Sequence, residues 1–409
     1  MKILFLTPQT PYPPRQGAAL RNWGLISQLM SRHEITVLTF SSPSSRTTEE
    51  GTRSVDTSDQ LRARWELLSV PLPVRSWRDR LRDMLTTRQP DMALRLVSET
   101  YAHRLTDLLS RRRFDIALIG GIEMAPYLDI LMAARPFRPR ILFDDLNCEF
   151  LLQKRAFLTD LRSPIHWAGA AYSWVQWHRL RQYEAAVCRR ADQVIAVSGE
   201  DAAALRRLVP GLDVAVIPNG VDAPSYPFVL SPPESHTLVF TGTMDFRPNV
   251  DAMLWFTRHV FPRIQAEHPA VRLDIVGQRP HRRLERLRRD PAITLTGWVE
   301  DVRPYIASAA VYIAPLRIGG GTRLKLLEAM AMGKAIVSTS LGAEGYPVSH
   351  GRELWLADSP TDFASAVLAL LRLPQRREEL GRAARAFVES RYDWRIIVPR
   401  LETILLSSH

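Results

Sequence analysis

Two successive runs of short apolar segments, each broken by helical stretches, limit this chain to a narrow set of folds. The first run reads KILFLT, EITVLTF, FDIALIG, RILFDD and QVIAVS, and the second TLVFTG, VRLDIVG, ITLTG, AVYIAP, AIVST and ELWLA. Each segment is short and rich in Ile, Val, Leu or Phe, as strands buried on both faces of a parallel sheet are. Strand alternating with helix implies α/β architecture, and two runs predict two Rossmann-like, doubly wound domains. A length of 409 residues suits two cores better than one. The join lies in residues 217–236, IPNGVDAPSYPFVLSPPESH, where prolines and serines break the periodicity. The expected boundaries are 1–217, 218–392, and 393–409 for a terminal helix crossing back to the first domain. Ligands of open α/β sheets bind beyond the carboxyl ends of the strands, so two such domains facing each other would enclose a central cleft.

One stretch combines flexibility with charge at such a strand end. After AVYIAPLRI come Gly319, Gly320 and Gly321, then a helical pattern over Thr322 to Met332 with Gly333 placed as its cap. Three glycines are entropically costly and fit a backbone that must come close to a ligand. At a helix N-terminus they uncover N–H groups that favour an anion. Lys325 and Glu328, three apart, share one helical face. A lysine there can reach phosphate oxygens, while a carboxylate can accept hydrogen bonds from sugar hydroxyls. The plainer alternative is a tight turn and an ordinary ion pair on a solvated helix.

Composition narrows the classes further. Hydrophobic residues make up 46% and charged residues 24%, the balance of a soluble globular protein. No run reaches the ~20 apolar residues of a spanning helix, and MKILFLTPQT is too short for the core of a signal peptide. Cys148 and Cys188 are too few for a disulfide framework and show no metal-ligand spacing, so a reducing cytoplasm is expected. The formal charge of +11, nearly all of it from arginine, suits anionic partners such as phosphorylated small molecules or acidic lipid. Nucleic acid is set aside because no recognition module accompanies the charge.

The order of several blocks carries a family likeness. VIPNGVD (216–222), LVFTGTMDFRPNVDAMLWF (238–256), LDIVGQRP (273–280), LTGWVEDVRPYIASAAVYIAP (295–315) and GGGTRLKLLEAMAMGKAIVST (319–339) stand in the order of glycosyltransferase family 4, which the chain resembles. The first half matches more loosely, through residues 11–40 and LFDDLNCEF (142–150). The resemblance implies a GT-B fold and a retaining enzyme that takes a sugar from a UDP- or GDP-activated donor. The acceptor would be a glycan or lipid-linked sugar, in bacterial polysaccharide or cell-surface glycan assembly. It also implies that Glu328 binds the ribose hydroxyls and Lys325 lies beside the diphosphate, with Gly320, Gly321 and Thr322 as backbone donors. Val299 would meet the base and Gly17 would line a glycine loop in the first domain.

The sequence departs from the family at three places. A second glutamate eight positions before Glu328 is replaced by Gly320. The basic pair after the second domain's first strand reads Thr243 and Pro248, which moves the phosphate role to Arg247. The histidine of D-x-H-N-x-E is Leu146 here, within Asp144 to Glu149. Arg247, Lys325 and the glycines can stabilise a departing diphosphate without a metal, and no Asp-x-Asp pair stands ready to bridge one, so no cofactor is expected. In a retaining reaction the departing phosphate can take the acceptor proton. If a protein base serves instead, Asp144 or Asp145 is best placed, although aspartates after a strand also cap helices. A noncatalytic nucleotide-sugar-binding protein and a nucleotide-sugar epimerase are the alternatives on the same architecture.

Residues 162–190 interleave Trp167, Tyr172, Trp174 and Trp177 with Arg179, Arg181, Arg189 and Arg190. Such a mixture suits a helix at an anionic membrane surface, which would make the protein peripheral there. A helix packing its aromatics into its own core would read the same. His33 is expected to be structural.

Overall fold

The computed structural model describes residues 1–14, 17–41, 65–161, 167–229 and 235–407. The chain forms two compact units, residues 1–218 with 398–409, and residues 219–397.

In the first unit, strands β1 (Lys2–Thr7), β2 (Glu34–Ser41), β3 (Trp65–Pro71), β4 (Ile116–Gly120), β5 (Arg140–Asp145), β6 (Gln193–Ala196) and β7 (Val214–Val216) form one parallel sheet in the order β3-β2-β1-β4-β5-β6-β7. The strand order reverses between β1 and β4. Both strands are apolar and buried along nearly their whole length, as a sheet covered on both faces requires. The helices used below are α1 (Gly17–Leu29), α2 (Trp77–Thr86), α3 (Glu149–Leu161) and α4 (Trp167–Arg190). The sequence pattern missed β3 and β7, and these are the two edges of the sheet. The segment β3 is only partly buried at Glu66, Leu67 and Leu68, and β7 is three residues long, so neither shows the continuous apolar run of a central strand.

The second unit is a six-stranded parallel sheet, β10-β9-β8-β11-β12-β13, built from β8 (Thr237–Thr241), β9 (Arg272–Val276), β10 (Ile293–Gly297), β11 (Val311–Ala314), β12 (Ile336–Ser338) and β13 (Trp355–Leu356). Alternate residues feed two separate apolar clusters. Val311 and Ile313 join one, while Tyr312 and Ala314 join the other. This period of two explains why the strand reads as unbroken hydrophobic sequence. Its order reverses between β8 and β11, the crevice where open sheets bind ligands. The relevant helices are α5 (Arg247–Trp255), α6 (Leu324–Ala331) and α7 (Trp394–Leu406).

The helix α7 begins in the second unit, where Trp394 and Ile397 lie against Gly220. From Val398 it belongs to the first. There Glu402 accepts from His33 at 2.9 Å and pairs with Arg32 at 2.7 Å, and Arg140 donates to the Ile404 and Ser407 carbonyls. His33 thus has a structural partner far along the chain. Among the described residues, no helix is long and apolar enough to cross a membrane.

Candidate functional site

The ends of β8 and β11 bring two glycine-bearing loops together. Gly242, just past β8, lies so close to Gly277 that a Cβ on Gly277 would sit 1.6 Å from the Gly242 carbonyl oxygen. Beyond β11, Gly319 and Gly321 adopt φ of 104° and 75°, which an L side chain resists. A Cβ on Gly319 would meet Pro248 and the Arg323 guanidinium at 3.3 Å, so the loop after β11 lies against the start of α5. Arg323 donates to the Gly320 carbonyl and occupies the N-cap position of α6. The helix therefore starts at Leu324, two residues after the expected Thr322. Its end is as read, with Gly333 at φ 68° just past the cap.

Lys325 and Glu328 each have a partner that sequence spacing does not reveal. The Lys325 ammonium donates to Asn249 Oδ1 at 2.9 Å and stands 4.1 Å from the centre of the Phe240 ring. Asn249 is oriented in turn by donating to the Thr243 carbonyl at 2.9 Å. Burial, reinforced by the Arg323 charge, pushes the Lys325 pKa down to about 7, against a smaller upward pull from Glu328. The Tyr226 hydroxyl donates to Glu328 Oε1 at 3.0 Å. Burial raises the Glu328 pKa, and the Tyr226 hydrogen bond and the Lys325 charge partly offset that rise. A Cβ on Gly242 would lie 2.7 Å from Lys325 Nζ, so only glycine leaves the lysine its place.

The remaining expected residues of this unit surround that centre. Thr322 Oγ1 accepts from Asn219 at 2.8 Å, which ties the NGVD segment to the start of α6. Arg247 is exposed at the first turn of α5, beside Pro248. Val299 is partly buried at the rim of the apolar cluster that Tyr226 also borders. Gly320 and Gly321 lie in the loop ahead of Arg323. Asn249 and Tyr226 went unread because they stand 76 and 102 residues from their partners, and no local periodicity links them.

In the first unit, Gly17 opens α1 and is exposed. Asp144 and Asp145 read differently from the expected base. Asp144 is fully buried in a two-pronged ion pair with Arg21, at 2.8 Å and 2.7 Å, and Arg21 also donates to the Pro218 carbonyl. Its oxygens are thereby committed to holding α1 and the end of the unit against β5. Asp145 is also buried, and neither of its oxygens accepts a hydrogen bond from a donor group. Its neighbour is Glu184, whose two oxygens accept from the backbone N–H groups of Glu149 and Phe150 at 3.1 Å and 2.9 Å and so cap α3. Burial, then the Glu184 carboxylate, raises the Asp145 pKa, and burial raises that of Glu184. Burial and the Glu184 charge thus favour the protonated form of Asp145. Neither aspartate presents a carboxylate to solvent, and neither caps a helix, since the cap of α3 comes from Glu184.

Asp145, Cys148 and Glu184 have ligand-type atoms within 4.8 Å of one another. Of the three, Glu184 already caps α3. Burial and the adjoining carboxylates also hold the Cys148 thiol in its neutral form.

The description Glycosyltransferase Family 4 matches residues 15–224, more than half of the chain, and Glycosyl transferases group 1 matches residues 235–373. A phosphatidyl-myo-inositol mannosyltransferase of Mycolicibacterium smegmatis is 33% identical over 198 residues, 46% of this chain and 50% of that protein. Matches to curated relatives, including this one, cover 42% to 61% of those proteins' own length. Among solved structures, sucrose-phosphate synthase from Thermosynechococcus elongatus superposes with a TM-score of 0.72 at 15% identity, covering 98% of each chain. Anabaena HepE in complex with UDP-glucose does so with a TM-score of 0.61 at 17% identity over 99% of each. The two parallel sheets, the glycine loops at the second sheet's reversal point and the family match over most of the first unit lead to one assignment: the chain belongs to glycosyltransferase family 4 and has the GT-B fold.

Proposed function

We propose that this protein is a retaining glycosyltransferase that moves a sugar from a nucleoside-diphosphate donor, UDP- or GDP-linked, to a glycan or lipid-linked acceptor in bacterial surface polysaccharide assembly. The observation that carries the reading is the seat at the start of α6, where bared backbone, Lys325 and Glu328 meet beside the first turn of α5. Cleavage of the donor's sugar–phosphate bond leaves new negative charge on the diphosphate. In this reading Lys325, Arg247 and the N–H groups of the glycine loop take that charge. Tyr226 fixes one oxygen of Glu328, and the other is left to accept from a ribose hydroxyl. With Asp144 and Asp145 committed elsewhere, the proposed reaction uses no protein base, and the departing phosphate takes the acceptor proton. The UDP-glucose complex of HepE supports a nucleotide-sugar donor.

The test is incubation with a panel of UDP- and GDP-sugars, following release of nucleoside diphosphate and binding by calorimetry. One donor should bind and be turned over. Lys325→Ala and Glu328→Ala should each weaken that binding by roughly 1.5–3 kcal/mol, the size of a charged hydrogen bond. Unchanged affinity in both variants would remove the seat from the mechanism.

A further inference from the structure

We propose that the cavity between α2 and α4 of the first unit is a binding site for a saccharide that carries a carboxylate or phosphate group. The inference stands on the first unit alone and does not rest on the transferase reading, whose donor seat lies in the second. The cavity measures about 390 Å³, within the range of small-ligand sites. Trp77, Arg80 and Met84 line one wall, and Tyr172, Gln176 and Arg179 line the other. Each set recurs at helical spacing, so one face of each helix is turned to the space between them. A capping box between Ser76 and Asp79 fixes the start of α2 and hence the place of Trp77. Of the aromatic residues expected on one surface of residues 162–190, Tyr172 is in this wall, whereas Trp177 stacks on Phe157 of α3 at 6.2 Å with Lys154 over its ring. Residues 162–166 lie outside the described part.

The lining identifies the ligand by an amide, by charge and by rings. Gln176 is only 4% exposed, and its Oε1 accepts from the Asp91 backbone N–H at 2.9 Å. Only the oxygen of an amide can accept, so this bond fixes the group's orientation, and Nε2 donates to no described residue. A buried donor of this kind is costly until something accepts from it, and an oxygen in the cavity that Gln176 lines would do so. Arg75, Arg80 and Arg179 outnumber the two carboxylates of the lining, Asp83 and Asp91, both of which are bound to Arg75 at 2.7 Å and 2.8 Å. Arg179 donates to the carbonyls of Met84 and Gln89, and neither it nor Arg80 has an ion pair among the described residues. Guanidinium groups so placed favour a carboxylate or a phosphate. Trp77 is 70% exposed and Tyr172 44%, so both walls of the cavity hold an aromatic ring with a bare surface. Such rings take the C–H face of a sugar, and the Tyr172 hydroxyl, which has no described partner, suits a sugar hydroxyl. An inorganic anion would use the guanidiniums alone and a neutral sugar only the rings and the amide, whereas an acidic saccharide uses them all.

Titration of the full chain with glucose, glucuronic acid, glucose 1-phosphate and inorganic phosphate, followed by ligand-observed NMR, tests the proposal. The better of the two anionic sugars should bind at least about tenfold more tightly than glucose or inorganic phosphate, as one added charged hydrogen bond implies. Which of the two binds more tightly identifies the anionic group. Arg80→Gln should remove most of the preference over glucose, while Trp77→Ala should weaken glucose and the anionic sugar alike. Both side chains are exposed, so neither change reaches the core. Lys325→Ala should leave this binding as it is, since that lysine belongs to the other unit. Equal affinity for glucose and both anionic sugars overturns the proposal, as does inorganic phosphate that binds as tightly as the better of them. Binding that survives unchanged in both first-unit variants, or that is lost in Lys325→Ala, puts the ligand elsewhere and also overturns it.

Discussion

Below about pH 7 the Lys325 side chain is an ammonium before any donor arrives, and above that pH it must recruit a proton to meet a diphosphate. A bound diphosphate stabilises the charged form and raises the lysine's pKa in the complex. Affinity for a nucleotide sugar should therefore be highest at and below about pH 7 and fall above it, by up to about tenfold per pH unit, until the pKa of the complex is passed. Calorimetry in buffers of different ionisation enthalpy should register uptake of about one proton per donor bound at pH 8. Lys325→Met should bind weakly with no such slope, and meet the wild type at the alkaline end. Wild-type affinity that stays constant from pH 6.5 to pH 9 would exclude this role. The Lys325 and Glu328 pair was legible because a helix puts residues three apart on one face. Asn249, Tyr226 and Arg21 were not, since each meets its partner through the closure of a parallel sheet, across 76 to 123 residues of chain.

At the scale of elements, α3 owes its N-terminus to a side chain on α4. Glu184 accepts the backbone N–H groups of Glu149 and Phe150 and lies close to the Asp145 carboxyl, whose pKa it helps to raise. Both carboxyls have folded-state pKa values above their ordinary ones, so the folded protein holds protons that the unfolded chain has released. This contribution to stability is greatest in acid and is lost as pH rises from the ordinary glutamate value of 4.5 through the raised value. Glu184→Gln keeps an acceptor but loses one cap bond and the titrating carboxyl. It should lower stability at pH 5 by about 1–3 kcal/mol and make the gap to wild type shrink toward pH 8, as measured by urea unfolding at each pH. A gap that stays constant over that range would rule out the raised pKa of this pair. The central strands were readable because burial on both faces leaves an uninterrupted apolar run. The edge strands β3 and β7 were not, because solvent reaches part of one and the other is too short to show a period.

For the molecule as a whole, the division falls at Pro218 and Asn219, one residue from the break read in the sequence, and the last twelve residues belong with the first unit. Leu401 and Leu405 are buried there, and Glu402 is tied to His33 and Arg32. Deleting residues 398–409 should therefore loosen the first unit far more than the second. Hydrogen exchange should rise first in β1 and β2, next to the lost contacts of His33, while β8 and β9 keep their protection. Equal loosening of both sheets would show that α7 acts on the fold in some other way.

The return of α7 has a consequence in time as well. During synthesis, residues 1–218 leave the ribosome without the segment that completes their packing, and residues 219–397 must all follow before it emerges. At typical elongation rates of about 5–20 residues per second, that interval lasts on the order of 10–40 s. The half of the chain made first is thus the half finished last, and a nascent chain stalled anywhere in the second unit offers its first half incomplete to chaperones and proteases.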